Sequence, residues 1–381
     1  METVIEDLRN IKYTVTNVKE QADLFAWVRH LRARMDRVNL WALVVFTRQF
    51  ATIFNSGVPL VRGLEGLSKQ TLSRRLSMAL AEIYNDVKSG MSMAKALQKH
   101  PDVFSPIYVS LVRAGEMAGA LGEILDRAAN FLERDYKIQK KVSSATTYPI
   151  FVFIVTIIVT GILIMYVFPT FVGLLEGINV ELPWPTKLLI FITNIGTNPI
   201  MILLVLGGVG VGGFLLSRYI KTRVGRRWAD RLLLELPGVG GVNKKVIISR
   251  FCRTLSTLLS SGVPMIHALE IVGKVAGNEI VSEILDEVKR GLKAGMRLSQ
   301  PLREYHMFPP IVPHMVAVGE ETGNLPDILL KLANFYDTEI EASLDAFTAL
   351  IEPFMIMFMG GLVGFVLLAV FLPVYQILEN F

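Results

Sequence analysis

Charge is what this chain of 381 residues has least of: 19% of its residues are Asp, Glu, Lys or Arg, while 52% are hydrophobic and the mean hydropathy is +0.46. A soluble globular protein carries about 25% charged residues. The shortage is local. No charged residue occurs across Val142–Leu175, Leu188–Ser217 or Pro353–Leu378. Each stretch exceeds the roughly 20 residues a helix needs to cross a bilayer. That excludes a soluble enzyme, a disordered chain and a secreted disulfide scaffold. The stretches are apolar throughout rather than alternating, which excludes a membrane β-barrel. Cysteine is nearly absent as well: Cys252 alone cannot form an internal disulfide and fits a reducing compartment. It sits in an apolar helical run, where an inert core thiol is expected. The N-terminal METVIEDLRNIKYTV has neither an apolar h-region nor a small-residue cleavage site, so no signal peptide is expected.

Catalytic motifs are missing too. His30, His100, His267, His306 and His314 show no paired-ligand spacing, and no G-x-S-x-G or P-loop string occurs. Gly207, Gly208, Gly210, Gly212 and Gly213 resemble a phosphate loop in composition only; inside an apolar span they indicate close helix packing, as do Gly360, Gly361 and Gly364. The spans hold no ionisable residue of the kind transporters and proton relays keep. No basic stripe with interleaved aromatics points to nucleic acid; the net charge of +5 sits largely beside the apolar stretches. Neither an enzyme nor a cofactor is expected.

The flanks that carry charge set the expected orientation. Arg134, Lys137, Lys140 and Lys141 precede the first apolar stretch; Arg218, Lys221, Arg223, Arg226, Arg227 and Arg231 follow the second. Between those stretches lies only Lys187, and no Lys or Arg follows Pro373. The positive-inside rule then predicts a cytoplasmic N-terminal segment (1–39), a first cytoplasmic bundle (40–148), a span (149–169), an extracytoplasmic loop (170–198), a second span (199–217), a second cytoplasmic bundle (218–352), a third span (353–374) and an extracytoplasmic tail (375–381).

What the chain does contain, it contains twice. TRQFATIFNSGVPLVRGLEGL at 47–67 and CRTLSTLLSSGVPMIHALEIV at 252–272 share eight of 21 positions. VRAGEMAGALGEIL at 112–125 matches VAVGEETGNLPDIL at 316–329, and Pro149 and Pro169 match Pro353 and Pro373. This is a duplicated domain that carries its own membrane helix; the unrepeated middle span returns the chain so that both copies keep one orientation, as parallel repeats do. Leu40, Leu43, Val44, Phe50, Ile53 and Phe54 recur at helical spacing, and no alternating β-branched run appears. Gly57 and Gly262 are placed to end helices, and Pro59 and Pro264 to start the next ones. The expected fold is therefore all-α and polytopic: two repeated cytoplasmic bundles of about six helices each and three transmembrane helices.

The strongest local signal is Gly115-Glu116-x-x-Gly119-x-Leu121, repeated as Gly319-Glu320-x-x-Gly323-x-Leu325. Gly115 and Gly319 can end a helix with positive φ, leaving each glutamate just before the next helix, where the dipole favours it. The other reading is an exposed acidic corner, with Glu321 doubling the second, that docks a partner. Lone glutamates do not supply the six or more oxygens a hard cation wants, so no metal site is expected. Pro149, Pro169, Pro353 and Pro373 are either fixed kinks or hinges between bundle and span.

The pair RQFATIFNSGVPL and RTLSTLLSSGVPM, the doubled GE-x-x-G-x-L, the YP and EP entries to the spans and ELPWPT at Glu181–Thr186 resemble the type II secretion F family. The likeness runs from about Leu40 to the C-terminus; Ala118 departs from the small hydroxyl that Thr322 keeps. It implies a non-catalytic inner-membrane platform of a type IV pilus or type II secretion machine, with six-helix cytoplasmic domains and homo-oligomeric assembly in a bacterial inner membrane. The implied partners are a hexameric motor ATPase, pilin or pseudopilin subunits and inner-membrane alignment proteins. The alternative is a transporter or receptor subunit of a different membrane complex.

Overall fold

The computed structural model describes residues 38–71, 73–175, 183–220, 222–236 and 238–379; the expected N-terminal segment up to residue 37, residues 176–182 with the Glu181 end of ELPWPT, and the tail at 380–381 lie outside them. The described residues are helical, without a strand. The first half comprises α1 (Leu40–Asn55), α2 (Leu60–Gln70), α3 (Arg74–Lys88), α4 (Met93–Gln98), α5 (Pro106–Ala118) and α6 (Leu121–Ile162), which passes through a wide π-turn (Leu163–Val167) into α7 (Phe168–Leu175). Two connecting helices follow, α8 (Trp184–Thr197) and α9 (Pro199–Ile220). The second half opens with α10 (Arg223–Glu235); the matching place in the first half lies outside the described residues. The second half then repeats the series as α11 (Val239–Ser260), α12 (Met265–Val275), α13 (Glu279–Lys293), α14 (Ser299–Leu302), α15 (Ile311–Thr322) and α16 (Leu325–Glu379).

Local chemistry sets these boundaries. The side chains of Asn39, Ser73, Ser92, Ser105 and Asn278 accept backbone N–H bonds at the starts of α1, α3, α4, α5 and α13, satisfying donors that have no partner within a helix. Gly57 and Gly262, at φ +83° and +82°, close α1 and α11; Val58 and Val263 then donate back to Ile53 and Leu258. This left-handed closure suits glycine, and Pro59 and Pro264 stand immediately before α2 and α12.

The two halves share one core. Phe50, Leu80, Leu97, Val112 and Leu125 of the first half and Phe251, Leu255, Leu285, Leu302 and Leu329 of the second belong to a single continuous cluster of buried side chains. Cys252 is fully buried in it, and burial pushes its thiol pKa up, as an inert core cysteine requires. An Arg250–Asp135 ion pair (3.1 Å) and a Lys141–Glu341 pair tie the halves along α6, α11 and α16.

α6 and α16 leave this core and continue as apolar helices with their surfaces exposed. Among the described residues, these two and α9 are the three helices long and apolar enough to cross a membrane. The stretch 170–198, read from the sequence as a loop, contains α8. The charge-free run from Leu188 belongs to this helix as well as to α9, and Asn198–Pro199 breaks the two apart, as the residue before proline is pushed out of helical geometry. α8 rises only about 21 Å, short of a bilayer core.

Gly115 and Gly319 depart from expectation. They lie inside α5 and α15, and the positive-φ residues are Gly119 and Gly323. A Cβ on Gly115 would lie 3.0 Å from the Ile124 side chain and 3.1 Å from the Leu121 backbone; on Gly319 it would lie 3.0 Å from the Leu325 Cα. Glycine is required here by close helix approach. Gly115→Val and Gly319→Val should each destabilise the protein by about 1–3 kcal/mol through overpacking, read as a lowered melting temperature. Unchanged melting would mean that the corner is not tightly packed.

Candidate functional site

Glu116 and Glu320 sit in the last turns of α5 and α15, partly buried, and each reaches across to a different helix. The Glu116 carboxylate accepts from the backbone N–H of Met93 (2.5 Å) and Ala94 (3.0 Å) at the start of α4. Glu320 accepts from Leu298 N–H (2.6 Å), Ser299 N–H (3.2 Å) and the Ser299 hydroxyl (2.6 Å) at the start of α14. Both carboxylates thus occupy the positive end of a short helix's dipole, but of α4 and α14 rather than of the helix that follows them in sequence. Bonds from N–H to an ionised acceptor are the stronger kind. Glu321, by contrast, is exposed, 3.9 Å from Arg297.

Each corner is a small machine of four parts. Gly115 lets α5 approach α6, Glu116 holds α4, Gly119 reverses the chain, and Leu121 starts the long helix; Gly319, Glu320, Gly323 and Leu325 do the same in the second half. Among the described residues no cluster of His, Cys, Asp or Glu could hold a metal ion.

A second repeated constellation escaped the sequence reading. Arg48 donates to Glu133 (2.7 Å), Asn130 (2.6 Å) and Asp126 (3.3 Å). At the equivalent place Arg253 donates to Asp337 (2.5 Å) and Asn334 (3.1 Å), and Ser249 also donates to Asp337 (2.5 Å). Each fastens the first helix of a repeat to the last. The signal lay in the aligned arginines and in Asn130-x-x-Glu133 against Asn334-x-x-Asp337, distant in sequence and therefore mute until folded. The hydrogen bond from Arg48 holds the Glu133 carboxyl below its ordinary value of 4.5. A groove of about 590 Å³ separates the halves beside these clusters, with Arg127, Arg134 and Lys137 on one wall and Asp327, Asn334 and Arg253 on the other.

The prolines behave in two ways. α6 runs unbroken through Pro149, and α16 through Pro353 and Pro373. Pro373 has no N–H for the carbonyl one turn back, Ala369, and that carbonyl instead accepts from the buried Thr186 hydroxyl of α8 at 2.7 Å. Before Pro169 the helix widens: Phe168 N–H bonds to Leu163 C=O, five residues back. The next donor in that register would be Pro169, so the Ile164 carbonyl is left over, and it accepts from Thr193 of α8 at 3.3 Å. α8 therefore supplies hydroxyls to the backbone gaps at both matched prolines, as apolar surroundings demand. Phe168, Leu189, Val366, Ala369 and Val370 pack around these bonds.

Three outcomes follow. Glu116→Ala and Glu320→Ala should cost about 1–3 kcal/mol each by stranding partly buried N–H groups, and the Gln variants, which keep an acceptor, should cost less; thermal melting ranks them. Thr186→Val should lower the melting temperature more than Thr170→Val, whose hydroxyl bonds only within its own helix, because it strands the Ala369 carbonyl. The Arg48–Glu133 pair should contribute stability above pH ~4.5 and lose it as pH falls further, because the folded pKa is depressed. Denaturant titrations at pH ~5 and ~3 should show a smaller acid loss in Glu133→Gln, and the partial exposure of the pair limits the difference to under ~1 kcal/mol.

Comparison with known proteins fits this doubled architecture. The sequence pattern of the family described as type II secretion system (T2SS), protein F, matches residues 46–169 and 251–373, which take in most of each half and leave out α8, α9 and α10. A type IV pilus assembly protein PilC of Thermus thermophilus is 41% identical over 88% of this chain and 82% of its own length. A PilC of Myxococcus xanthus is 38% identical over 88% and 80%. A type II secretion system protein F of Aeromonas hydrophila is 30% identical over 96% and 92%. The chain belongs to the type II secretion system protein F family.

Proposed function

We propose that this chain is a non-enzymatic inner-membrane platform of a type IV pilus machine. It would couple a cytoplasmic motor ATPase to the insertion or extraction of pilin subunits. One observation carries the reading: in each half the last helix of the bundle, α6 or α16, continues unbroken into a charge-free apolar stretch. A force applied to the bundle is thereby passed to the membrane along a single rod. The two relatives named for pilus assembly are 41% and 38% identical to this sequence and the secretion relative 30%, which favours pilin over pseudopilin as the moved subunit.

The membrane arrangement belongs to the same proposal. Basic residues flank the apolar helices on the bundle side, and the positive-inside rule puts both bundles in the cytoplasm and the C-terminus outside. The exposed α9, with no buried residue in its most apolar stretch, has glycines Gly207, Gly208 and Gly210 open to a close neighbour. That supports homo-oligomeric packing in the bilayer. Glu321 and the groove between the halves are the candidate docking features for the motor and the alignment proteins.

Reporter fusions at Glu181 and after Phe381 should report an extracytoplasmic location, and one at Gly240 a cytoplasmic one; a cytoplasmic C-terminus overturns the arrangement. Removal of the gene should abolish surface pili, and loss of type II secretion with pili intact would move the chain to the secretion machine. Purified protein free of its motor should show no ATP turnover; hydrolysis that tracks this chain would contradict the platform reading.

A further inference from the structure

α10 falls between the two segments matched by the family pattern. Its inner face is tied to the second bundle. Leu234 is buried, Asp230 accepts from the Glu279 N–H at the start of α13 (2.8 Å), and Arg227 pairs with Glu283 (3.1 Å). Its outer face is a stripe at four-residue spacing: Val224, Trp228, Leu232 and Leu236 are 71%, 54%, 43% and 40% exposed. Leu233, 44% exposed, extends the apolar surface round to Arg226, and Arg231 borders it beside Val224; both arginines are exposed, and Arg231 leans on Glu235 (2.9 Å).

Both ends of α10 are held at the level of the apolar helices. Its start follows α9 directly, across a turn so tight that a Cβ on Gly225 would lie 2.0 Å from the Tyr219 carbonyl oxygen. Its end leads to Gly238, where a Cβ would be 3.3 Å from the Phe347 ring of α16. Phe347 lies about 9 Å along that helix from Pro353, where the charge-free stretch begins. A helix tied at one end to α9 and at the other to the root of the third apolar stretch lies along the membrane face. An apolar stripe with a tryptophan and flanking arginines is the chemistry of an interfacial helix, and arginine near an anionic leaflet gains about 1 kcal/mol per charge.

We infer that α10 is an interfacial anchor that embeds its Val224–Trp228–Leu232–Leu236 face in the bilayer surface and binds anionic phospholipid headgroups through Arg226 and Arg231. The inference rests on the proposal that α9 crosses the membrane, and the two are separable by experiment. The full chain carrying Trp27→Phe, Trp41→Phe and Trp184→Phe, which leaves Trp228 as the only tryptophan, is reconstituted into phosphatidylcholine vesicles with and without phosphatidylglycerol. Quenching by acyl-chain-brominated phosphatidylcholine and by aqueous iodide is then measured. A second reporter combines Leu204→Trp with Trp228→Phe and reads α9.

The expected result is that, with phosphatidylglycerol present, brominated lipid quenches both reporters by at least half. Without phosphatidylglycerol the quenched fraction of Trp228 should fall about twofold, a difference lost in Arg226→Gln/Arg231→Gln. If the α9 reporter is quenched but Trp228 is not, the anchor is wrong and the span stands, whether iodide reaches Trp228 or a protein neighbour shields it. If neither is quenched, the span and the anchor fall together. Trp228 quenching that ignores phosphatidylglycerol removes the anionic-lipid part.

Discussion

The architecture depends on one close contact, the approach of α5 to α6 at Gly115 and of α15 to α16 at Gly319. With a Cβ only 3.0 Å from its neighbours in each case, the crossing exists because there is no side chain. The left-handed Gly119 or Gly323 then turns the chain within two residues, so the direction in which the long helix leaves the bundle is set at the corner. The glutamate beside each glycine fixes the third participant, α4 or α14, through its carboxylate. The same seven-residue device is used twice, and both times it aims a helix that becomes an apolar rod.

The far ends of those rods face the opposite problem. Backbone groups freed by Pro169 and Pro373 lie among apolar side chains, where each would be costly. Thr186 and Thr193, on the unrepeated α8, answer both gaps. The duplicated halves are thus joined three times: by the common core, by ion pairs from α6 to α11 and α16, and by a helix that serves both matched prolines.

Much of this was legible in the sequence because its signals are local or periodic. The absence of charge located the apolar helices, the repeat gave the doubled bundle, and Gly57-Val58-Pro59 marked a helix end and the next start. The corners were visible as motifs but not as geometry. Sequence order suggested that Glu116 serves the helix after it, whereas the fold brings it to Met93 and Ala94, earlier in the chain. Gly115 looked like a helix terminator because glycine has two uses, positive φ and close approach, and only the packed neighbour Ile124 separates them. The Arg48–Glu133 and Arg253–Asp337 fasteners join residues far apart in sequence, so no spacing announced them. α8 was hidden because a charge-free run does not show where one helix stops.

The central claim is that bundle and span are one rigid element. It is tested most directly by electron–electron spin-label distances across Pro149 in the full chain, in lipid nanodiscs and a Cys252→Ser background. Labels at Lys137 and Ile157, both exposed on α6, are twenty positions apart, or about 30 Å along an unbroken helix. A single narrow distribution near that separation is the predicted result; a broad or much shorter one, showing a joint at Pro149, would contradict it.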